Sequence, residues 1–594
     1  MTRPLNQLQM LNRRTVVFGC IQAVAGTALL SRLYYLQFIK GEELKTEAEG
    51  NRIKVQLIIP PRGVITDRLG VVMAANDISY RLYIDRDQPK QARKTIIRLS
   101  ELLAWDEAQI KRVLEQIPPR RPAGPLLLAE QLAWEYMAKV EFHLPELPGV
   151  AIEEGQWRSY PFADHAAHLL GYVGKVSERD NRDHPLLRLP DMKIGKNGIE
   201  YLFEERLRGT AGTRHIEVNA LGQPIRELKK EEPIAGGALK LTVDSRLQEF
   251  IVKRLGDAAG AVVVMHIHTG DILALVSMPA FDPNEFSKGI KEGYWKALNS
   301  NEKIPLMNKA ITGQYPPGST FKMLVGLAAL REGKVNARST VYCPGHFYLG
   351  NHRFNCWKPE GHGTMNYKSA IAQSCDTYFY TVGRQAGIEA IAKMAHDLGL
   401  GESTQLGLLS EKSGIIPTPE WKARIGRGGW NPGETINSSI GQGDVLTTPL
   451  QLAVMIARIV NGGKKVLPRL TEEVAIRDEG FINIDEAFLK LAQEGMDMVT
   501  NAPTGTAYAS GIREEAYRYG GKTGTSQVRR ITIRGLNQNS LPWKYRHHGL
   551  FVGYGPTHDP QYCCAVLMEH GGGGSSAAAP VAKDVMQKTM EWFT

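Results

Sequence analysis

The sequence predicts a multidomain α+β protein with an N-terminal membrane anchor, a β-rich middle region and a C-terminal domain built on one antiparallel sheet. Three observations carry that prediction. The chain has 594 residues, too many for a single hydrophobic core. Residues 15–39 form an apolar run long enough to cross a bilayer. Strand-like runs stand at both ends of the C-terminal half, with helical patterning between them. The net charge of +10 is spread along the chain rather than clustered, and no nucleic-acid motif stands out. Nucleic acid is therefore unsupported as a partner, whereas anionic lipid or wall polymer stays open.

Arg13 and Arg14 precede the uncharged run Thr15–Ser31, and apolar character resumes after Arg32 through Leu33–Ile39. A single span follows if Arg32 snorkels to the far interface, where Tyr34, Tyr35 and Phe38 form an aromatic belt. The basic flank places the N-terminus inside and the bulk of the chain outside. A signal peptide cleaved after Ala23-Val24-Ala25 is the alternative, opposed by apolar sequence beyond that point.

Next, Pro60 to Gly70 reads as a strand between turns, with Gly70 opening a hairpin into Val71–Ala74. Arg62, Asp67 and Arg68 are expected to form structural salt bridges there. Helical pattern over Ala92–Trp105 and Glu107–Gln116 precedes a turn-rich stretch at 118–125. Gly195–Arg208 is expected as one helix packed on strands at 214–219 and 238–243. Further on, Gly260–His266 and Asp271–Ser277 form a hairpin around His268-Thr269-Gly270. Tyr519–Val528, Gly549–Tyr554 and Gln561–Glu569 are three more strands, and Ser576–Phe593 is a terminal helix. Gly571–Ser576 reads as a flexible loop. With neither a βαβ rhythm nor a Gly-x-Gly-x-x-Gly loop, a Rossmann dehydrogenase is not supported.

Chemistry concentrates at Pro316-Pro317-Gly318-Ser319-Thr320-Phe321-Lys322. The prolines and glycine make a turn, and Phe321, Leu324, Leu327 and Leu330 begin a buried helix. Ser319 then lies near a helix start, where free N–H groups stabilise an anion, with Lys322 one turn away on the same face. A hydroxyl, an amine and N–H donors are the parts of an acyl-transfer centre. On its own the spacing is weak, since a capped helix with a solvated lysine has the same pattern. Ser374-Cys375-Asp376 and Lys522-Thr523-Gly524 strengthen it, completing SxxK, SxD and KTG in that order.

These three motifs, with Pro60-Pro-Arg-Gly-Val-Ile-Thr-Asp-Arg-Leu-Gly70, Arg158-Ser-Tyr-Pro161 and Gly198-Ile-Glu200, resemble the class B penicillin-binding proteins across nearly the whole chain. Asp376 in place of Asn resembles the elongation branch, penicillin-binding protein 2. The resemblance implies a cytoplasmic tip and anchor at 1–40, a pedestal at 41–235 with a small head at about 85–150, and a transpeptidase domain at 236–594. That domain would carry a β-lactamase/transpeptidase-like, five-stranded antiparallel sheet flanked by helices. It implies Ser319 as nucleophile and Lys322 as base, with Ser374 relaying a proton and Asp376 orienting Ser374 and Lys322. Lys522, Thr523, Gly524 and Thr525 would hold the substrate carboxylate, and the N–H groups of Ser319 and Thr525 would form the oxyanion hole. The substrate is a peptidoglycan stem peptide ending in D-Ala-D-Ala, with carboxypeptidase activity if water resolves the acyl-enzyme and covalent inhibition by β-lactams. A RodA-type glycan polymerase and other elongation proteins are the implied partners, at the inner membrane with the catalytic domain periplasmic. Competing readings are a division-specific class B transpeptidase, a non-catalytic β-lactam sensor, a β-lactamase that would not need the pedestal, and a structural activator.

Six cysteines remain. Cys20 lies in the span, and Cys563 and Cys564 point to opposite faces of one strand. Cys343, Cys356 and Cys375 fall close together among His346, His352 and His362. They are compatible with a Cys343–Cys356 disulfide, with inert thiols or with a tetrahedral metal site. Resemblance to relatives with a metal between the first two motifs implies structural zinc at Cys343, Cys356, His362 and Cys375; catalysis itself needs no cofactor.

Overall fold

The N-terminal apolar run forms a helix, Arg13–Tyr34, continued by one wider turn through Ile39. Val16–Ile39 is long and apolar enough to cross a membrane and is unburied among the described residues. The computed structural model describes residues 13–40, 53–86, 88–117, 125–177, 180, 184–189, 192–218, 224–528 and 538–594. Most of the turn-rich stretch expected at 118–125 therefore lies outside the described residues. The chain divides into two contact units, residues 1–61 with 209–235, and residues 62–208 with 236–594.

In the first unit, Ile53–Ile58, Gly212–Val218 and Pro224–Glu231 make a three-stranded antiparallel sheet with Gly212–Val218 in the middle. In the second, Val72–Asp85 is the long strand of another sheet, paired antiparallel to Ile65–Thr66, Pro125–Leu132 and Val150–Ser159. Helices Pro89–Leu102, Glu107–Glu115 and Trp134–His143 accompany it. The Arg62 and Arg158 guanidinium groups each meet Glu200 at 2.6 Å, and Arg62 also meets Glu204 at 2.7 Å. Burial opposes ionisation of Glu200, but the two arginines hold it below the usual carboxylate range.

Two expectations here need correction. Asp67 and Arg68 form no ion pair among the described residues. Buried Asp67 instead accepts hydrogen bonds from Leu69 N, Val71 N and both Ser245 N and Oγ, and the Arg68 guanidinium lies over the Phe593 ring at 4.8 Å. Asp67 thus closes the Gly70 turn and fixes it to the start of helix Ser245–Leu255. Residues 195–208 form two short helices, Gly198–Leu202 and Glu204–Arg208, rather than one. Gly195 ends a strand, and a Cβ there would lie 1.9 Å from the Glu200 carbonyl oxygen, so the chain folds back too tightly for one continuous helix.

The C-terminal sheet has the expected membership. Its strands are β1 (Gly260–His266), β2 (Ile272–Met278), β3 (Gly520–Ser526), β4 (His548–Gly555) and β5 (Tyr562–Met568), ordered β2-β1-β5-β4-β3 and antiparallel throughout. β1 and β5 lie inside the sheet and read as continuous apolar runs because both faces are covered. Helices Pro449–Val460 and Ala579–Phe593 pack against β5 and β4, burying Cys563 and Cys564. β3 is the edge strand. The residues expected as a flexible loop at 571–576 are corrected too: Gly574 starts an ordered helical turn through Ala578 and is buried. A Cβ on Gly574 would lie 2.3 Å from the Gly524 carbonyl oxygen, so close packing on β3, not mobility, accounts for glycine there.

Candidate active site

Gly318 has a φ of +55°, which bends the chain sharply before a short 3-10 turn over Gly318–Phe321 that leads into helix α1 (Lys322–Arg331). The sequence predicted a buried helix here, and every residue of α1 from Lys322 to Leu330 is buried, so this is the central helix of the domain. Helix α2 (Tyr367–Ala372) crosses it closely. The Tyr367 ring fills the space above Gly326, and its hydroxyl donates to the Met323 carbonyl at 2.6 Å. That crossing brings the end of α2, and Ser374 just after it, beside Lys322.

Ser374 adopts a φ of +54°, a left-handed conformation uncommon for a residue with a side chain. Helix α3 (Asp376–Ala386) begins two residues later. Lys322 Nζ donates to Ser374 O at 2.8 Å, Ser374 Oγ at 3.1 Å and Asp376 Oδ1 at 2.7 Å. Lys522 Nζ reaches the same Ser374 Oγ at 2.9 Å. Both lysine side chains are fully buried. Burial, then the neighbouring Lys322 cation, push Lys522 well below the ordinary lysine range, while Asp376 counteracts weakly. Burial likewise raises the Asp376 carboxyl against the pull of Lys322. Two buried lysines face one carboxylate, so Lys522 is the cation without its own counter-charge.

The edge strand β3 borders a cleft of about 1640 Å³ lined by Ser319, Ser374, Asp376, Thr523, Gly524 and Thr525. β3 fits closely over the Ser319 turn. A Cβ on Gly524 would stand 2.9 Å from the Pro317 carbonyl oxygen, and one on Gly318 2.6 Å from the Thr525 carbonyl oxygen. Thr523 Oγ1 hydrogen-bonds Thr506 Oγ1 at 2.9 Å, and Gln442 Nε2 donates to the Thr525 carbonyl at 3.0 Å. The Gly441 carbonyl accepts from Gly318 N at 2.9 Å.

Beside the second motif, the ligand atoms of Cys343, Cys356, His362 and Cys375 all lie within 4.8 Å of one another. His362 Nδ1 is 3.5 Å from both Cys343 Sγ and Cys356 Sγ. Zn–S bonds of about 2.3 Å in a tetrahedron place sulfurs about 3.8 Å apart, so the donor set and its spacing fit a closed structural metal site. Hydrogen bonds from Cys375 and, against burial, from His362 hold the Cys356 thiol below the ordinary cysteine range. All six cysteines are free in the structure, with no Cys343–Cys356 bond.

The structure thus gathers every residue the sequence singled out, but two contacts differ from expectation. No hydrogen bond joins Lys322 to Ser319; the ammonium is turned toward Asp376 and Ser374. Asp376 does not touch Ser374 either. Its Oδ1 takes Lys322 and its Oδ2 accepts the backbone N–H of Trp357 at 2.8 Å, so both oxygens are committed elsewhere. Sequence reasoning missed Trp357, Gln442, Thr506 and Gly441. Gly441-Gln442-Gly443 is a visible turn signal, and Trp357 adjoins Cys356, but spacing alone does not mark Thr506.

The Penicillin binding protein transpeptidase domain matches residues 260–587, and the Penicillin-binding Protein dimerisation domain matches residues 57–241. With the fold and cleft, these matches define a penicillin-binding transpeptidase. Among curated proteins, the peptidoglycan D,D-transpeptidase MrdA of Acinetobacter baumannii is 36% identical over 91% of this chain and 82% of its own length. That of Escherichia coli K12 is 32% identical over 94% and 90%. Among solved structures, Helicobacter pylori PBP2 in complex with MreC has a TM-score of 0.81 at 29% identity, covering 91% of this chain and 99% of that one. Pseudomonas aeruginosa PBP2 in complex with WCK 5153 gives 0.68 at 32% identity, covering 90% and 96%. The chain belongs to the MrdA family of class B penicillin-binding proteins, the peptidoglycan D,D-transpeptidases of cell elongation. The division-specific and sensor alternatives give way to that assignment.

Proposed function

We propose that Ser319 is the nucleophile of this transpeptidase and that Lys322, Ser374 and Lys522 form the proton relay serving it. The observation that carries the proposal is the shared contact on Ser374 Oγ, which both buried lysines reach at the wall of the cleft that Ser319 lines. Lys322 is ion-paired with Asp376, whereas Lys522 is the lysine pushed toward neutrality. Lys322, when deprotonated, is the base for the Ser319 hydroxyl, and the Ser374 hydroxyl between the two lysines passes the proton on. Attack of Ser319 Oγ on the penultimate D-Ala carbonyl forms the ester and breaks the terminal peptide bond. The expelled D-Ala amine takes its proton back through Ser374. A neighbouring stem's amine then resolves the ester into the cross-link. Water in its place gives carboxypeptidase activity, and a β-lactam traps the same serine.

The substrate adds as a strand to the free edge of β3, with Lys522, Thr523 and Thr525 toward its carboxylate and Gly524 permitting close approach. The N–H groups of Ser319 and Thr525 receive the oxyanion. Cys343, Cys356, His362 and Cys375 hold zinc, which supplies no chemistry to the reaction and fixes the loops around the second motif. Domain limits at about residues 40 and 235, with a head at 85–150, belong to this proposal; a dimerisation-domain match at 57–241 followed by a transpeptidase match at 260–587 supports the order of pedestal and catalytic domain. The basic flank before Val16 supports an N-terminus in the cytoplasm and a periplasmic catalytic domain. The MreC complex of the Helicobacter pylori protein supports a partner of that kind, and a solved peptidoglycan synthase complex at TM-score 0.71 supports a RodA-type polymerase.

The test is covalent labelling of the purified chain with a labelled penicillin, followed by peptide mapping. The label is expected on Ser319. A label on Ser374, or none on folded protein, refutes the assignment.

A further inference from the structure

Trp357 follows Cys356 directly, lines the wall of the cleft and is 57% exposed as a residue. An exposed indole ordinarily needs no explanation. This one is tied down at three points. Its backbone N–H donates to Asp376 Oδ2 at 2.8 Å, and its indole Nε1–H is shared between the Gln373 and Ser374 carbonyls, each at 3.1 Å. Its ring also meets the His362 ring edge-on at 5.3 Å between centroids.

The Ser374 carbonyl therefore has two donors, Lys322 Nζ at 2.8 Å and the Trp357 indole. That carbonyl belongs to the residue with positive φ, a conformation that persists only when its surroundings over-determine it. α2 supplies part of the restraint through Ser374 N to Ile371 O at 3.1 Å. Toward the cleft, the indole N–H adds a neutral donor on the Ser374 carbonyl. Relaxing the positive φ of Ser374 would swing its Cα–Cβ bond and carry Oγ away from both lysines, and the contacts on its carbonyl oppose that relaxation.

We propose that Trp357 is a positioning residue for acylation: its indole N–H holds the Ser374 peptide, and its backbone N–H holds Asp376, so that one residue sets both side chains of the second motif. The proposal rests on the relay assigned above to Lys322, Ser374 and Lys522. Because Trp357 adjoins Cys356 and packs on His362, it is also the link by which order in the Cys/His cluster reaches the catalytic groups. The expected signature is a slower chemical step with undisturbed substrate binding.

The experiment compares wild type with Trp357→Phe and with benzothienylalanine placed at 357, which keeps the fused ring and exchanges N–H for sulfur. Rapid-mixing kinetics with a fluorescent penicillin separate the dissociation constant from the acylation rate constant. Melting temperature and thiol reactivity of the cluster are measured in parallel, and the labelled peptide is mapped in every variant. About a tenfold fall in the acylation rate constant in both variants is expected, with the other quantities unchanged. A loss confined to the dissociation constant makes Trp357 a substrate contact and overturns the proposal. Full activity in the benzothienylalanine protein, or a melting temperature that falls in step with acylation, overturns it as well. If wild type labels somewhere other than Ser319, the nucleophile assignment fails separately, before any variant is compared.

Discussion

Asp376 is the position at which this chain departs from the Asn form of the middle motif, and the structure makes replacement by Asn a sharp test. Both carboxylate oxygens accept, Oδ1 from Lys322 at 2.7 Å and Oδ2 from Trp357 N at 2.8 Å. An Asn amide offers one acceptor and one donor. In either orientation its NH₂ faces another donor, the Lys322 ammonium or the Trp357 N–H. Asp376→Asn therefore loses a hydrogen bond to a charged group, worth about 1.5–3 kcal/mol, in a buried setting. If that loss falls on the alignment of Lys322 and Ser374, acylation slows roughly ten- to a hundredfold. Asp376→Ala leaves the Lys322 cation buried with no counter-charge and should cost about 3–5 kcal/mol of stability. The assay is single-turnover acylation of Ser319 by a fluorescent penicillin, with thermal unfolding in parallel. Wild-type acylation in the Asn variant, with an unchanged melting temperature, would refute the argument that Asp is required by two facing donors.

Three further outcomes are expected. Chelator-free protein should contain one zinc per chain with the Cys343, Cys356 and Cys375 thiols free after denaturation; Cys356→Ala and His362→Ala should then lower both melting temperature and acylation, and no metal with both properties unchanged would reject a structural role. Gly524→Ala should reduce acylation at least tenfold while leaving the fold intact, because a methyl placed 2.9 Å from the Pro317 carbonyl oxygen forces β3 off the Ser319 turn; equal rates would show that the strand has room to move. Lys522 has a depressed folded value, so between that value and about 10.4 the unfolded chain binds the extra proton and stability contributed at this site rises with pH. Lys522→Met should remove that component, so melting temperatures of the two proteins compared across alkaline pH should converge as pH rises toward 10; parallel curves would count against a strained Lys522 cation.

What the sequence determined by itself was whatever local chemistry and periodicity encode. The uncharged run before Arg32, the apolar strands at both ends of the C-terminal domain and the Pro-Pro-Gly turn before Ser319 are each written in neighbouring residues, and each stands in the structure where the pattern placed it. The three motifs also named Lys322, Ser374, Asp376 and Lys522, which meet around Ser374, but not Trp357, which holds its carbonyl. Their contacts were a different matter, because Lys322 and Ser374 are 52 positions apart and Lys522 is 148 from Ser374. Packing of α2 on α1 decided that Lys322 turns to Asp376 rather than to Ser319, and a backbone N–H from Trp357 decided why Asp376 needs two acceptors. The same holds for Gly574 within the Gly571–Ser576 segment, whose composition suggested mobility but where glycine is required because β3 lies against it. Nor can a pattern of residue types reveal that Lys522 is pushed toward neutrality: that depends on burial and on neighbouring charges, which exist only once distant segments have packed together.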